Sequence, residues 1–356
     1  MKIVADENLA FASYFFSDIA EIQLHAGRTL QAKDLAETKA LLVRSVTKVN
    51  EDLLRDTQVN FVGSATIGTD HLDTDYLKSH HIQWSNAAGC NAQAVAEYVV
   101  TALAHLNIHF LEANKNFTLG IIGLGNVGRR LAHLAKLLGW NVVAYDPFVT
   151  IADVTQVELS ALLQQAHAIS IHVPLTKGGD YPTYHLFNDE VFQSLPKETI
   201  IINSARGAVI SEQALLKDVK QTGRSVVLDV FEHEPLISEE LLKHIALVTP
   251  HIAGYSLEGK ARGTQMVYEA FCKYYQFIPN KDFKTQLPIC EQFFEKSGDL
   301  KDILKKYIFE IYPILEDDQR LRACLKDGVV DQHSFDQLRK SYPLRREWTS
   351  HGADIS

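Results

Sequence analysis

An arginine in NSARG, a glutamate in DVFEHEP and a histidine in TPHIAG follow three successive short apolar runs, at Arg206, Glu234 and His251. A guanidinium binds a carboxylate as a rigid fork of donors. An imidazole titrates near neutrality, so it can take or give a proton under physiological conditions. A carboxylate beside that imidazole fixes its orientation and favours its protonated form. The three types together suit a 2-hydroxy acid that is losing a hydride and a hydroxyl proton. Each has a duller role alone: Arg206 in a surface ion pair, Glu234 as a solvated loop charge, His251 as a packed core imidazole. Their spacings of 28 and 17 residues allow convergence if the runs are strands of one parallel sheet, because ligands bind at the carboxyl edge of such sheets.

The hydride acceptor is suggested upstream. GIIGLGNVGRR (120–130) places Gly123, Gly125 and Gly128 in the GxGxxG spacing. That spacing is weak alone, but here an apolar run precedes it and a helical pattern opens with Asn126 and Val127. Asp146 closes the next strand-like run 18 residues after Gly128. In a dinucleotide site Gly123 permits the tight turn, Gly125 lets the backbone approach the pyrophosphate, and Gly128 lets helix and strand pack closely. Asp146 can accept from both ribose hydroxyls, and Pro147 follows it with no arginine nearby for a 2′-phosphate. The expected cofactor is NAD rather than NADP.

The elements that must position these groups alternate along the chain. In residues 1–90, KIVADEN, ALLVRS (40–45), NFVGSAT (60–66) and IQWSNAA (82–88) are separated by amphipathic stretches, the pattern of a parallel sheet with helical crossovers. Residues 91–114 have the length and periodicity of one long helix, with Asn91 as its N-cap after Gly89. Six more strand-like runs follow: 118–125, 141–146, 168–175, 199–206, 225–231 and 246–252. They predict a doubly wound fold. Beyond 256 the pattern is mainly helical, with a linker-like stretch at 279–288.

The expected fold class is α/β: a Rossmann-type NAD-binding domain over 93–255, and a flavodoxin-like substrate (lid) domain over 1–92 joined by 256–280. A small, mainly helical module over 281–356, too small for much core of its own, completes it.

Composition narrows the function. Apolar content of 46% with 22% charged residues is that of a globular protein. No apolar run is long enough to span a membrane. A net charge of −9 argues against a general nucleic-acid surface. MKIVADEN enters a strand pattern with no leader-like segment. Cys90, Cys272, Cys290 and Cys324 form no CxxC pair, as expected of free thiols in a reducing cytoplasm. His80, His81, His167, His172 and His233 have no metal-ligand spacing with Cys or carboxylates.

GLGNVG, the following strand-end aspartate, HVPLT, NSARG, DVFEHEP and TPHIAG together resemble the D-isomer-specific 2-hydroxyacid dehydrogenases. Further matches in MKIVADEN, GSATIGTDHLD, GCNAQAVAEYV, HIAGYSLEGKARG and FDQLRKSYPLRREW carry the resemblance along nearly the whole chain. They favour a phosphorylated four-carbon acid as substrate. The resemblance implies that Arg206 binds the substrate carboxylate, His251 is the acid/base and Glu234 pairs with it. It places Ser204, Ala205, Arg206, Asp229 and Gly254 against NAD, together with Val173, where some members carry threonine. It also puts Ser45, Thr66 and Tyr255 at substrate positions and implies a homodimer through the C-terminal module.

The residues support an anion site independently. Arg44-Ser45 ends one strand-like run of the first domain, and GSAT with IGTD follows another. Amides of such turns, with an arginine and hydroxyls, bind anions, although ordinary turn chemistry accounts for Ser45 and Thr66 equally well. A substrate held by phosphate in one domain and by carboxylate in the other would favour closure. Two other functions fit the same motifs. One is a sister dehydrogenase acting on phosphoglycerate, glycerate or lactate. The other is a non-catalytic NAD(H)-sensing protein on the same fold.

Overall fold

A computed structural model of the chain describes residues 1–112, 116–294 and 299–355. Two compact units emerge: residues 1–91 with 256–289, and residues 92–255 with 290–356.

In the first unit, β1 (Lys2–Asp6), β2 (Glu21–His25), β3 (Thr38–Val43), β4 (Phe61–Ser64) and β5 (Gln83–Asn86) form a parallel sheet of order β2-β1-β3-β4-β5. This is the flavodoxin-type order. The sheet is buried on both faces, so its central strands read as continuous apolar runs. Ile3, Ala5, Ala40, Leu42 and Phe61 pack with Val267, Tyr268 and Phe271 of the helix Leu257–Tyr275. Val4, Leu41, Val43 and Val62 pack with Leu53, Leu54 and Leu77. Strand β2 has no such run. EIQLH becomes a strand because β1 offers its edge, pairing Lys2 with Glu21 through Asp6 with His25.

The second unit carries β6 (Thr118–Ile122), β7 (Asn141–Tyr145), β8 (Thr155–Gln156), β9 (Ala168–Ile171), β10 (Ile200–Asn203) and β11 (Val226–Leu228). After them come β12 (Ile237–Ser238) and β13 (Leu247–Val248). The main sheet runs β13-β11-β10-β9-β6-β7-β8, all parallel, while β12 pairs antiparallel with β14 (Val329–Val330). The order reverses between β6 and β9, the switch point at which doubly wound sheets bind ligands. The strands are shorter than the apolar runs suggest, because HVPL, SAR, DVF and TPHI already belong to the loops at the carboxyl edge.

The long helix ends early. It spans Ala92–Leu106, and a 3₁₀ segment, Ile108–Glu112, follows; 113 and 114 lie outside the described residues. The Asn107 side chain accepts from the His109 amide at 3.0 Å, a local bond that competes with helix continuation. Asn91 stands at the expected position directly before the helix, but its Oδ1 has no hydrogen-bond partner, so its side chain does not cap it.

Residues 281–356, expected as a separate module, divide between the units. The stretch 281–289 clusters with the first, while 290–356 belongs with 92–255. Ile303, Leu304, Ile308, Trp348 and Ile355 complete the core formed by Val99, Leu103, Leu119, Ile121 and Leu134. Leu321, Val330 and Phe335 join the core on the opposite face, with Ile169, Ile201 and Leu228. The segment makes little core alone because its apolar residues are spent on its neighbours.

Candidate active site

The glycine-rich turn follows β6 directly. Gly123 adopts φ +95°, in the left-handed region, and donates its amide to Tyr145 O at 2.9 Å. A Cβ on Gly128 would lie 1.9 Å from Gly123 O, so only glycine lets the helix Asn126–Leu137 sit this close to the turn. Gly125 differs: a Cβ there would meet nothing within 4 Å. That open space at the helix N-terminus suits a pyrophosphate. Val173 packs over Gly123, its Cγ1 3.0 Å from where a Cβ would stand.

Asp146 is held by backbone amides. Oδ2 accepts from Leu124 at 2.7 Å, and Oδ1 accepts from Phe148 at 2.9 Å and Val149 at 3.1 Å. The carboxylate is thereby oriented against the glycine turn, with acceptor capacity left for ribose hydroxyls. Ser204 offers a second fit, because its Oγ is buried and has no hydrogen-bond partner. Asn203 shapes its loop, accepting from the Ala205 amide at 3.1 Å and donating to Arg206 O at 2.9 Å. Arg206 donates from Nη1 to Ala205 O at 2.8 Å. The backbone of Gly207 lies against Phe231 O, where a Cβ would come within 1.9 Å. The Arg206 loop therefore packs directly on the loop that leads to Glu234.

Glu234 and His251 meet. His251 Nδ1 lies 2.7 Å from Glu234 Oε1, and both side chains are partly exposed. Burial pushes the Glu234 carboxyl up, but the His251 contact, the imidazole's charge and Arg339 outweigh it and hold it below the usual range. An ionised Glu234 can only accept, so Nδ1 carries a proton and Nε2 is the nitrogen left to exchange one.

His251 adopts φ 57°, a left-handed conformation uncommon for a non-glycine residue. Its surroundings account for that. Its amide donates to Asp229 O at 2.8 Å, while the Asp229 carboxylate accepts from the Ile252 and Ala253 amides at 2.7 and 2.9 Å. Thr249 also donates to Asp229, at 2.6 Å, leaving Tyr98 to donate to Thr249 at 2.8 Å. Burial raises the Asp229 carboxyl against these bonds and the His251 charge. The Asp229 carboxylate thus grips the His251 loop. Gly254 and Tyr255 continue this loop, with the Tyr255 amide donating to Ile252 O at 2.8 Å.

The expected substrate residues of the first unit also share one edge. The register pairs Val43 with Ser64, so Arg44-Ser45 and Ala65-Thr66 leave adjacent strands side by side. Arg44 Nε donates to buried Asp6 at 3.0 Å, and Ser45 is exposed. Thr66 Oγ1 lies 2.8 Å from Ser64 Oγ, which lies 2.9 Å from His71 Nε2.

Sequence reasoning did not single out Asp6, His71, Arg339 or Arg345. Arg345 is nearly buried and donates to Ile252 O at 3.0 Å, Ala94 O at 3.1 Å and Ala253 O. Its ties run from the C-terminal segment to the loop after His251. No local pattern marks a cation whose backbone carbonyl partners lie 90 or more residues away.

Residues 98–253 match the family model of the D-isomer specific 2-hydroxyacid dehydrogenase NAD binding domain, and 287–354 match a domain of unknown function (DUF3410). Erythronate-4-phosphate dehydrogenase of Acinetobacter baylyi is 63% identical over the whole of both chains. The chain belongs to the erythronate-4-phosphate dehydrogenase family. The member from Psychrobacter cryohalolentis is 43% identical, over 100% of this chain and 99% of that one. Among solved structures, the D-lactate dehydrogenase of Aquifex aeolicus complexed with NAD and lactic acid is similar in fold. Its TM-score is 0.63 at 23% identity, with 78% of this chain and 96% of that one covered. The TT0316 protein of Thermus thermophilus gives a TM-score of 0.68 at 21% identity, covering 79% and 99%. The chain is thus an oxidoreductase of the D-2-hydroxyacid dehydrogenase type with an NAD-binding domain.

Proposed function

We propose that the chain oxidises 4-phospho-D-erythronate at C2 with NAD⁺, giving 2-oxo-3-hydroxy-4-phosphobutanoate in pyridoxal 5′-phosphate biosynthesis. The observation that carries the reaction type is the 2.7 Å contact between Glu234 and His251. The identity to named family members along the whole chain supports the substrate.

NAD⁺, when bound, supplies the hydride acceptor. His251 Nε2 takes the C2 hydroxyl proton as the hydride leaves. Glu234 keeps the ring oriented and stabilises the imidazolium that forms. Arg206 holds the substrate carboxylate as a fork. Arg44, Ser45, Thr66 and Tyr255 serve the remaining hydroxyl and phosphate oxygens. Gly123, Gly125, Asn126, Val127, Gly128, Asp146, Val173, Ser204, Ala205, Arg206, Asp229 and Gly254 line the cofactor. Asp229 assists by holding the loop.

Self-association through 281–356 is part of the proposal, supported by the exposed Phe309 and Leu315 on that segment. A cytoplasmic setting is supported by four free cysteines. No helix among the described residues is long and apolar enough to cross a membrane.

Initial rates on 4-phospho-D-erythronate, 3-phosphoglycerate and unphosphorylated erythronate test the assignment. Equal turnover of the last would overturn the phosphorylated substrate. His251→Ala should abolish turnover and spare NAD binding, and an active variant would remove His251 as the base.

A further inference from the structure

The C-terminal segment, matched by a domain with no known function, brings two cations to the loop after His251: Arg345, which bonds its carbonyls, and Arg339. Arg339 lies in the last turn of the helix Gln332–Lys340. Its Nη2 donates to the Tyr255 hydroxyl at 3.2 Å, and its guanidinium lies 5.8 Å from the centre of the Tyr255 ring. The Phe335 ring flanks it at 5.7 Å. Arg339 Nε is buried without a hydrogen-bond partner, and among the described residues no carboxylate stands within ion-pair distance of the guanidinium. Tyr255 also packs edge-on to Tyr342 from the same segment, at 5.9 Å. The segment thus grips this side chain at both ring and hydroxyl.

A phenol oxygen that accepts from arginine uses its own proton toward an acceptor. The partly desolvated positive charge behind it makes that O–H a stronger donor, and an anionic oxygen its best acceptor. We propose that Arg339 is a positioning residue for substrate recognition, turning the Tyr255 hydroxyl into a donor toward an anionic oxygen of the substrate. This is what the C-terminal segment contributes to the reaction, and it rests on the functional reading above.

Steady-state kinetics of NAD⁺ reduction with 4-phospho-D-erythronate test it. Arg339→Gln should raise KM by about tenfold with little change in kcat, the size expected for losing one charge-assisted hydrogen bond. Tyr255→Phe should act alike, and the double variant should be no worse than Tyr255→Phe alone, since both remove one interaction. Arg339→Lys should recover part of the loss, while the Kd for NAD⁺ stays unchanged in all variants. An unchanged KM in Arg339→Gln would overturn the proposal. So would additive losses in the double variant, or a fall in kcat alone, which would place Arg339 on the Glu234–His251 pair instead. If Arg339→Gln does not fold, the KM values of Arg339→Lys and Tyr255→Phe decide by the same criteria. A wild-type chain that leaves 4-phospho-D-erythronate unoxidised would overturn the functional reading and the proposal together. Normal wild-type turnover with insensitive variants would overturn the proposal alone.

Discussion

Glu234 Oε1 lies 2.7 Å from His251 Nδ1, a contact closed across 17 residues of chain by two loops at the carboxyl edge of one sheet. Replacing Glu234 with glutamine keeps the shape and removes the charge. Glu234→Gln should lower kcat/KM by about 10². The loss should fall on kcat, because a neutral partner stabilises the forming imidazolium less. Steady-state kinetics of the two proteins check this, and an unchanged kcat/KM would count against the pair.

The glycines of the cofactor turn separate packing from binding. Gly128→Ala forces a Cβ against Gly123 O and should cost about 1–3 kcal/mol of stability along with NAD affinity. Gly125→Ala meets only open space, so Tm should hold while NAD affinity falls. Thermal melts and NAD titration of both variants distinguish the two effects. A Gly125→Ala protein with normal affinity would remove the pyrophosphate from this turn.

His172 makes stability depend on acid. Burial pulls its imidazole from the ordinary 6.5 down to about 3, and its Nε2 lies 2.8 Å from Ser170 Oγ. The unfolded chain therefore takes a proton that the native one refuses. The stabilising contribution is fully present above about pH 6.5 and is lost as pH falls toward about 3. His172→Gln, which can keep a bond to Ser170, should flatten the fall in Tm over that range. Melting curves recorded across it test the sign, and parallel curves for the two proteins would exclude His172 as the source.

Arg345 fastens the loop that follows His251. Arg345→Met leaves several buried carbonyls without their donor and should destabilise the chain by about 2–4 kcal/mol. Arg345→Lys should recover little, because one ammonium does not span carbonyls that a planar fork reaches together. Denaturant titration gives the stability of both. A methionine variant with unchanged stability and turnover would show the clasp to be dispensable.

The dinucleotide fold is legible because its signals are local. A strand buried on both faces is a run such as LGII, and a helix that must touch a turn needs glycine at position 128 whatever lies elsewhere. What the sequence hides depends on neighbours. EIQLH is a strand because β1 pairs with it, and the helix from Ala92 stops where Asn107 captures an amide. The C-terminal segment reads as a module of its own because nothing in its pattern says whose core Ile303, Leu304 and Trp348 will fill. They complete the core of the second unit.

The site divides in the same way. By itself the sequence determined the residue types and the edge they occupy, Arg206, Glu234 and His251 after three successive strands, since strand order and side-chain chemistry are written in short motifs. Only the tertiary structure decided what holds them. Asp229 bonds the amides around Ile252, Arg345 the carbonyls around Ala253, and Arg339 the Tyr255 hydroxyl. Backbone amides and carbonyls are the same at every residue, so a side chain that binds them leaves no mark on its partner's identity.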